Sequence, residues 1–227
     1  MVTNNETAMN DDPTATFDRD RIPSVLRQFA RRRSTTERCE LCSAELAEAH
    51  SHLLEHANRQ ILCACEACSI LFCDRADARY LRIPRRILSL VNFEMTDMQW
   101  ESLMIPINLA FFYYDSAAAK MMAMYPSPAG ATESSLSLDS WKEIRSQNPP
   151  LQTMGPNVEA LLVNRVSPRP EYFLVPIDEC FRLVGLIRMH WKGLSGGAEV
   201  WKQIELFFTG LRSRSTASTS HIEGLRA

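Results

Sequence analysis

With 227 residues, 45% of them hydrophobic and 23% charged, the chain has the composition of an ordinary globular protein with one large or two modest domains. Its formal net charge of −2 argues against wholesale binding to nucleic acid or membrane, and no apolar run approaches the roughly 20 residues that span a bilayer. Seven cysteines without the basic-then-apolar layout of a secretory leader read as metal ligands and core thiols in a reducing cytoplasm, not as disulfides.

Residues 1–35 read as a disordered, basic leader: acidic and polar to about residue 20, then arginine-rich, with the run Arg31-Arg32-Arg33. Ile22, Val25, Leu26 and Phe29 have helical spacing there, and the arginines suit a solvated face better than a nucleic-acid patch. Residues 36–79 form the expected metal module. Ile61-Leu62 and Ile70-Leu71-Phe72 read as two short strands flanking a knuckle, which is a zinc-ribbon layout. Such a module of about 40 residues buries too little to fold without its ion. Arg75, Arg79, Arg82, Arg85 and Arg86 read as a solvated linker after it.

Residues 80–212 read as an α+β domain. Thr96 caps a helix with Trp100, Leu103 and Met104 on its apolar face. The aromatic run 106–114 is a strand. The segment 125–133 is a turn-forming loop, and Asp139 caps a short helix that ends before Asn148-Pro149-Pro150. Strands follow at 158–166 and 172–175. Asp178 opens a helix with Ile177, Cys180, Phe181, Val184, Ile187 and Trp191 on one face. The glycine-rich turn 192–197 then leads to a last amphipathic helix, and the two helices pair as an antiparallel hairpin. Residues 213–227 read as a disordered tail. The turns 125–133 and 192–197 are also candidate recognition loops, the second able to offer helix N-terminal amides to an anion.

The chemistry is concentrated between Cys39 and Cys73. Cys39-Glu-Leu-Cys42 is one C-x-x-C pair, and about twenty residues later Cys65-Glu-Ala-Cys68 is another. Two such turns can aim four thiolates at one soft tetrahedral ion, so Cys39, Cys42, Cys65 and Cys68 are the preferred ligands. Cys63 is an alternate for Cys65, because two residues two apart on a strand share a face. His50, His52 and His56 lie between the pairs. His50 and His52 could join a spare thiol such as Cys63 in a second site, or simply flank the first. Four cysteines close the coordination sphere, which favours a structural ion over a catalytic one. Zinc is preferred; iron in a rubredoxin-like centre is the alternative. Cys180 reads as a core thiol. No nucleophile elbow, phosphate-binding loop, dinucleotide fingerprint or metalloprotease motif is present in the sequence, so no catalytic residue is assigned.

Cys39-Glu-Leu-Cys42, His50-Ser-His52-Leu, Leu62-Cys-Ala-Cys65 with Cys68, Tyr125-Pro-Ser-Pro-Ala-Gly, Val175-Pro-Ile-Asp178 and Trp191-Lys-Gly-Leu-Ser-Gly-Gly197 together resemble an uncharacterised bacterial family. That family is associated with gene clusters of oxygen-tolerant nickel–iron uptake hydrogenases. The resemblance spans about residues 37–212. It implies an accessory or maturation context with a bound metal, and carries over no catalytic role. The expectation is therefore a non-enzymatic, cytoplasmic zinc protein that recognises a hydrogenase subunit or maturation factor. The alternatives are a rubredoxin-like electron carrier and, less favoured, a nucleic-acid-binding ribbon.

Overall fold

A computed structural model describes residues 36–73, 78–134 and 138–218. The expectations for residues 1–35, for the Asp139 cap and for the end of the tail lie outside the described residues and side chains. The first elements are strands β1 (Ser51–Glu55) and β2 (Ile61–Ala64), helix α1 (Glu66–Cys73), and strands β3 (Tyr80–Arg82) and β4 (Leu88–Ser89). Helix α2 (Asp97–Ser102), the meander β5 (Leu109–Asp115), β6 (Lys120–Ser127) and β7 (Gly130–Ser134), and helix α3 (Leu138–Gln147) follow. The chain ends with β8 (Glu159–Asn164), β9 (Glu171–Pro176), helices α4 (Ile177–His190) and α5 (Gly197–Arg214), and β10 (Thr216–Ala217). This is an α+β fold with a helical hairpin near its end.

Two sheets organise the elements. Seven strands run in the order β10-β4-β9-β8-β5-β6-β7, antiparallel except for the β10–β4 pair. A smaller antiparallel sheet has the order β2-β1-β3. The large sheet is covered on both faces, which explains why its central strands are continuous apolar runs. Along β5, Phe111 and Tyr113 point to the α4–α5 hairpin, and Ala110 and Phe112 to α2 and α3, where Phe112 stacks on Trp141. The hairpin is antiparallel: Arg214 at the end of α5 pairs with Glu179 at the start of α4 at 2.6 Å.

Several local expectations hold. Thr96 and Gln99 form a full capping box at the start of α2. Cys180 is fully buried.

Others are corrected. The segment Ile70-Leu71-Phe72 is not a strand but the outer side of α1, so the second knuckle opens into a helix. Met104 leaves the apolar face of α2, because its φ of 54° takes the chain out of the helix. The presumed loop 125–133 is the β6–β7 hairpin, with Ser127 paired to Gly130 across a two-residue turn. Its prolines misled because β5 pairs with β6 only as far as Met124, so Pro126 owes no ladder hydrogen bond on that side. The methionine-rich first half of β6 carries little strand propensity; its side chains alternate between the two cores.

From Arg79 on, the arginine-rich stretch is not a simple linker; Arg75 lies outside the described residues. Tyr80–Arg82 is the third strand of the small sheet, and Arg79, Arg82 and Arg86 pair with Glu55, Glu66 and Glu159. At the other end, α5 runs to Arg214 and Thr216–Ala217 lies beside β4, so order extends past residue 212.

The small sheet also has two occupied faces. Alternation on β1 sends Leu53 toward the cysteine knuckles and Leu54 into the main core beneath α4 and α5.

Candidate metal centre

The first C-x-x-C pair sits on a tight turn. Ser43 N–H donates to the Cys39 carbonyl at 2.7 Å, and Cys39 N–H to the Ala44 carbonyl at 2.8 Å. Ser43 takes a φ of 63° to close it. The turn is stitched to β2 in both directions: Glu40 N–H donates to the Cys63 carbonyl at 2.9 Å, and Cys63 N–H to Glu40 Oε2 at 2.6 Å. These bonds bring the two pairs together. On the other side, β2 ends at Ala64 and α1 begins at Glu66, so Cys65 lies in the corner between them, with Cys68 one turn further on.

The structure brings Cys39, Cys42, Cys65 and Cys68 together, their sulfurs all within 4.8 Å of one another. Cys63 is not among them. The same-face argument for exchanging Cys63 and Cys65 requires a continuing strand, and the chain turns away at Ala64. Cys42 Sγ lies 3.7 Å from Cys65 Sγ. That is far beyond a disulfide bond, yet close to the edge of about 3.8 Å of a tetrahedron with metal–sulfur bonds of about 2.3 Å. Cys39 and Cys68 are buried, whereas Cys42 is exposed.

Electrostatics show why a cation suits this cluster. Burial works to raise the Cys39 thiol, but backbone amides of Cys65, Cys42 and Leu41 point at its sulfur and hold it at about 6. Burial pushes Cys68 far above the ordinary thiol range, and the neighbouring Cys42, Cys65 and Cys39 sulfurs add to the shift. One thiolate is thus favoured while its neighbour is resisted. A dication at the centre removes the conflict by stabilising every thiolate at once. The donor set and its spacing fit a soft four-coordinate ion.

The other predicted residues lie on the opposite face of the small sheet. His52 is the cross-strand partner of Cys63, and His50 precedes it by two residues. The donor atoms of His50, His52 and Cys63 fall within 4.8 Å of one another. His52 Nδ1 is 2.5 Å from Asp178 Oδ2, at the start of α4. His56 is exposed in the turn after β1 and belongs to neither group. From sequence alone Asp178 is a helix opener. Its pairing with His52, 126 positions away, has no local signal. The 192–197 turn closes the helical hairpin, with Trp191 Nε1–H donating to the Gly193 carbonyl at 2.9 Å and Lys192 N–H to that of Gly196 at 3.0 Å.

Fold and site together define an α+β protein in which two cysteine knuckles on a small sheet bring together four sulfurs that could hold a metal ion. The chain belongs to the family of unknown function DUF5947, which matches residues 38–215. No curated protein and no solved structure matches it. Among the described residues, no helix is long and apolar enough to cross a membrane.

Proposed function

We propose that the protein is a non-enzymatic, cytoplasmic accessory factor. In this reading zinc in the four-cysteine site is structural, and it holds α1 and the first knuckle as a surface for a protein partner. The observation that carries the reading is the convergence of four sulfurs within 4.8 Å of one another, one pair of them at 3.7 Å and two of the cysteines buried. Four thiolates leave no open coordination position, which favours a scaffolding role over catalysis at that ion. The surface argument comes from α1. Its first turn follows Cys65 and holds Cys68, while Ile70, Leu71 and Phe72 stand 49%, 68% and 46% exposed. Large apolar side chains grouped on an exposed helix suit a protein partner better than solvent. The resemblance noted from sequence supplies the partner class: a nickel–iron hydrogenase subunit or a maturation factor.

Elemental analysis of purified protein after mild chelation, with its visible spectrum, tests the metal. The expected result is one chelator-resistant zinc per chain and no colour. Stoichiometric iron with thiolate-to-iron absorption would replace the reading with the rubredoxin-like electron carrier. A folded protein with only trace metal would overturn both. For the partner, Leu71→Asp is expected to abolish co-purification with the hydrogenase subunit while leaving the zinc in place. Undiminished co-purification would refute the α1 surface.

A further inference from the structure

We infer that His50, His52 and Cys63 form a second, exchangeable metal site with one coordination position open to a cavity. This site lies on the other face of the small sheet and does not depend on the four-cysteine reading.

The two imidazoles are aimed by their outer nitrogens. His50 Nδ1 is 2.9 Å from the Ala47 carbonyl, and His52 Nδ1 is 2.5 Å from the Asp178 carboxylate. Carbonyl and carboxylate oxygens only accept, so each Nδ1 carries the hydrogen. In the neutral rings both Nε2 atoms then present lone pairs, and these two atoms lie 3.2 Å apart. Two lone pairs facing at that distance repel unless a cation stands between them. The separation is close to the roughly 3.3 Å expected between two nitrogens sharing a tetrahedral zinc at about 2.0–2.1 Å. Cys63 Sγ, on the strand opposite His52, completes a three-donor face.

A carboxylate or carbonyl behind each ligating histidine is the usual outer support of a metal site; it fixes the tautomer and raises ligand basicity. Asp178 and Ala47 occupy those places here. The three donors open into a cavity of about 430 Å³. Its wall also carries Glu37, Glu48, Asp178 and Glu179 against Arg85 and Arg214, an acidic excess that draws a cation. Three protein donors leave a fourth position for water or an added anion, the arrangement a closed four-sulfur site lacks. Imidazole with thiolate suits zinc or another late first-row divalent ion. His52 and Cys63 are only partly buried and the His50 side chain, 8% exposed, borders the cavity, so the ion can exchange through it.

The test uses the full chain, reduced and treated with a mild chelator, then titrated with zinc and separately with cobalt. Wild type is expected to take up one ion beyond the chelator-resistant one. His50→Gln, His52→Ala and Cys63→Ser are expected to lose that ion and keep the resistant one. Asp178→Asn is expected to weaken it by about 10- to 100-fold. Cys65→Ser should do the reverse, losing the resistant ion and keeping the exchangeable one, so the two sites fail separately. Added azide should change the absorption of cobalt at the second site through the open position. If wild type takes up no further ion, the pair of histidines is bridged by a proton and the proposal is wrong. Uptake unchanged in folded His50→Gln would also overturn it, and an azide-insensitive cobalt spectrum would overturn the open position.

Discussion

Replacing Cys39 by alanine separates a metal-held knuckle from a sheet held by its core. Cys39 is 2% exposed and belongs to a small cluster with Leu46, Leu53, Ala64 and Cys68. Leu46, 8% exposed, and Leu53, 0% exposed, are the large buried aliphatic side chains of that cluster among the described residues, and at about 1.5–3 kcal/mol each they contribute roughly 3–6 kcal/mol. A structural zinc contributes on the order of 10–16 kcal/mol in small zinc domains, so the ion outweighs the local core. On the other face, Leu54 and Ile83 are buried in the main core beneath α4 and α5. Cys39→Ala should therefore release residues 37–46 and 65–73 but leave β1, β2, β3 and the large sheet in place, since Ile61 of β2 also packs against the main core. The assay is amide hydrogen exchange by mass spectrometry, with metal content measured on the same sample. Losing even about 3 kcal/mol of metal-derived stability lowers protection more than 100-fold. The Cys39-to-Ala44 and Leu46-to-Glu37 backbone bonds should show it, and those of β5 and β8 should not. A variant that keeps its metal and wild-type exchange in the knuckle would refute the reasoning.

Three further perturbations probe the scaffold. Gly196 has a φ of 87°, and an added Cβ would meet Val200 Cγ1 at 2.8 Å and the Trp191 ring at 3.1 Å. Gly196→Ala should cost about 2–4 kcal/mol from backbone strain and crowding, read by urea unfolding; a loss below about 1 kcal/mol would show that the hairpin turn adapts. Arg86 forms a two-pronged pair with Glu159, whose side chain is only 2% exposed. Arg86→Ala should destabilise by about 2–3 kcal/mol, less than a fully buried pair because the arginine is 43% exposed, and unchanged urea stability would count against it. In chelated protein, the hydrogen bond to Asp178 raises the His52 pKa against the opposing effect of burial. A raised folded value means stability fully present below the unfolded histidine value of about 6.5 and lost as pH rises through the folded one. The melting-temperature gap between wild type and Asp178→Asn should therefore narrow from pH 6 toward alkaline pH. A gap independent of pH would contradict the pairing.

Local chemistry made much of this protein legible from its residues alone. The C-x-x-C spacings place two thiols on each tight turn whatever surrounds them. Thr96 caps α2 through a bond that spans three residues, and the buried stripe Ile177, Cys180, Val184 and Ile187 needs only helical periodicity. Phe181, expected on that face, is 38% exposed while Leu183 is buried, and Trp191 lies just past the helix end. The continuous apolar runs of β5 and β8 already imply strands buried on both faces. Tertiary structure decided what depends on where a strand stops and what it lies against. Cys65 rather than Cys63 joins the sulfur cluster because β2 ends one residue earlier. Ile70-Leu71-Phe72 is apolar enough for a strand, but the turn at Cys65 leads directly into a helix. His52 meets Cys63 through the β1–β2 register, and Asp178 through the docking of a helix more than a hundred residues away. Short-range rules extend about one helical turn along the chain, whereas register and docking are set by burying many side chains at once.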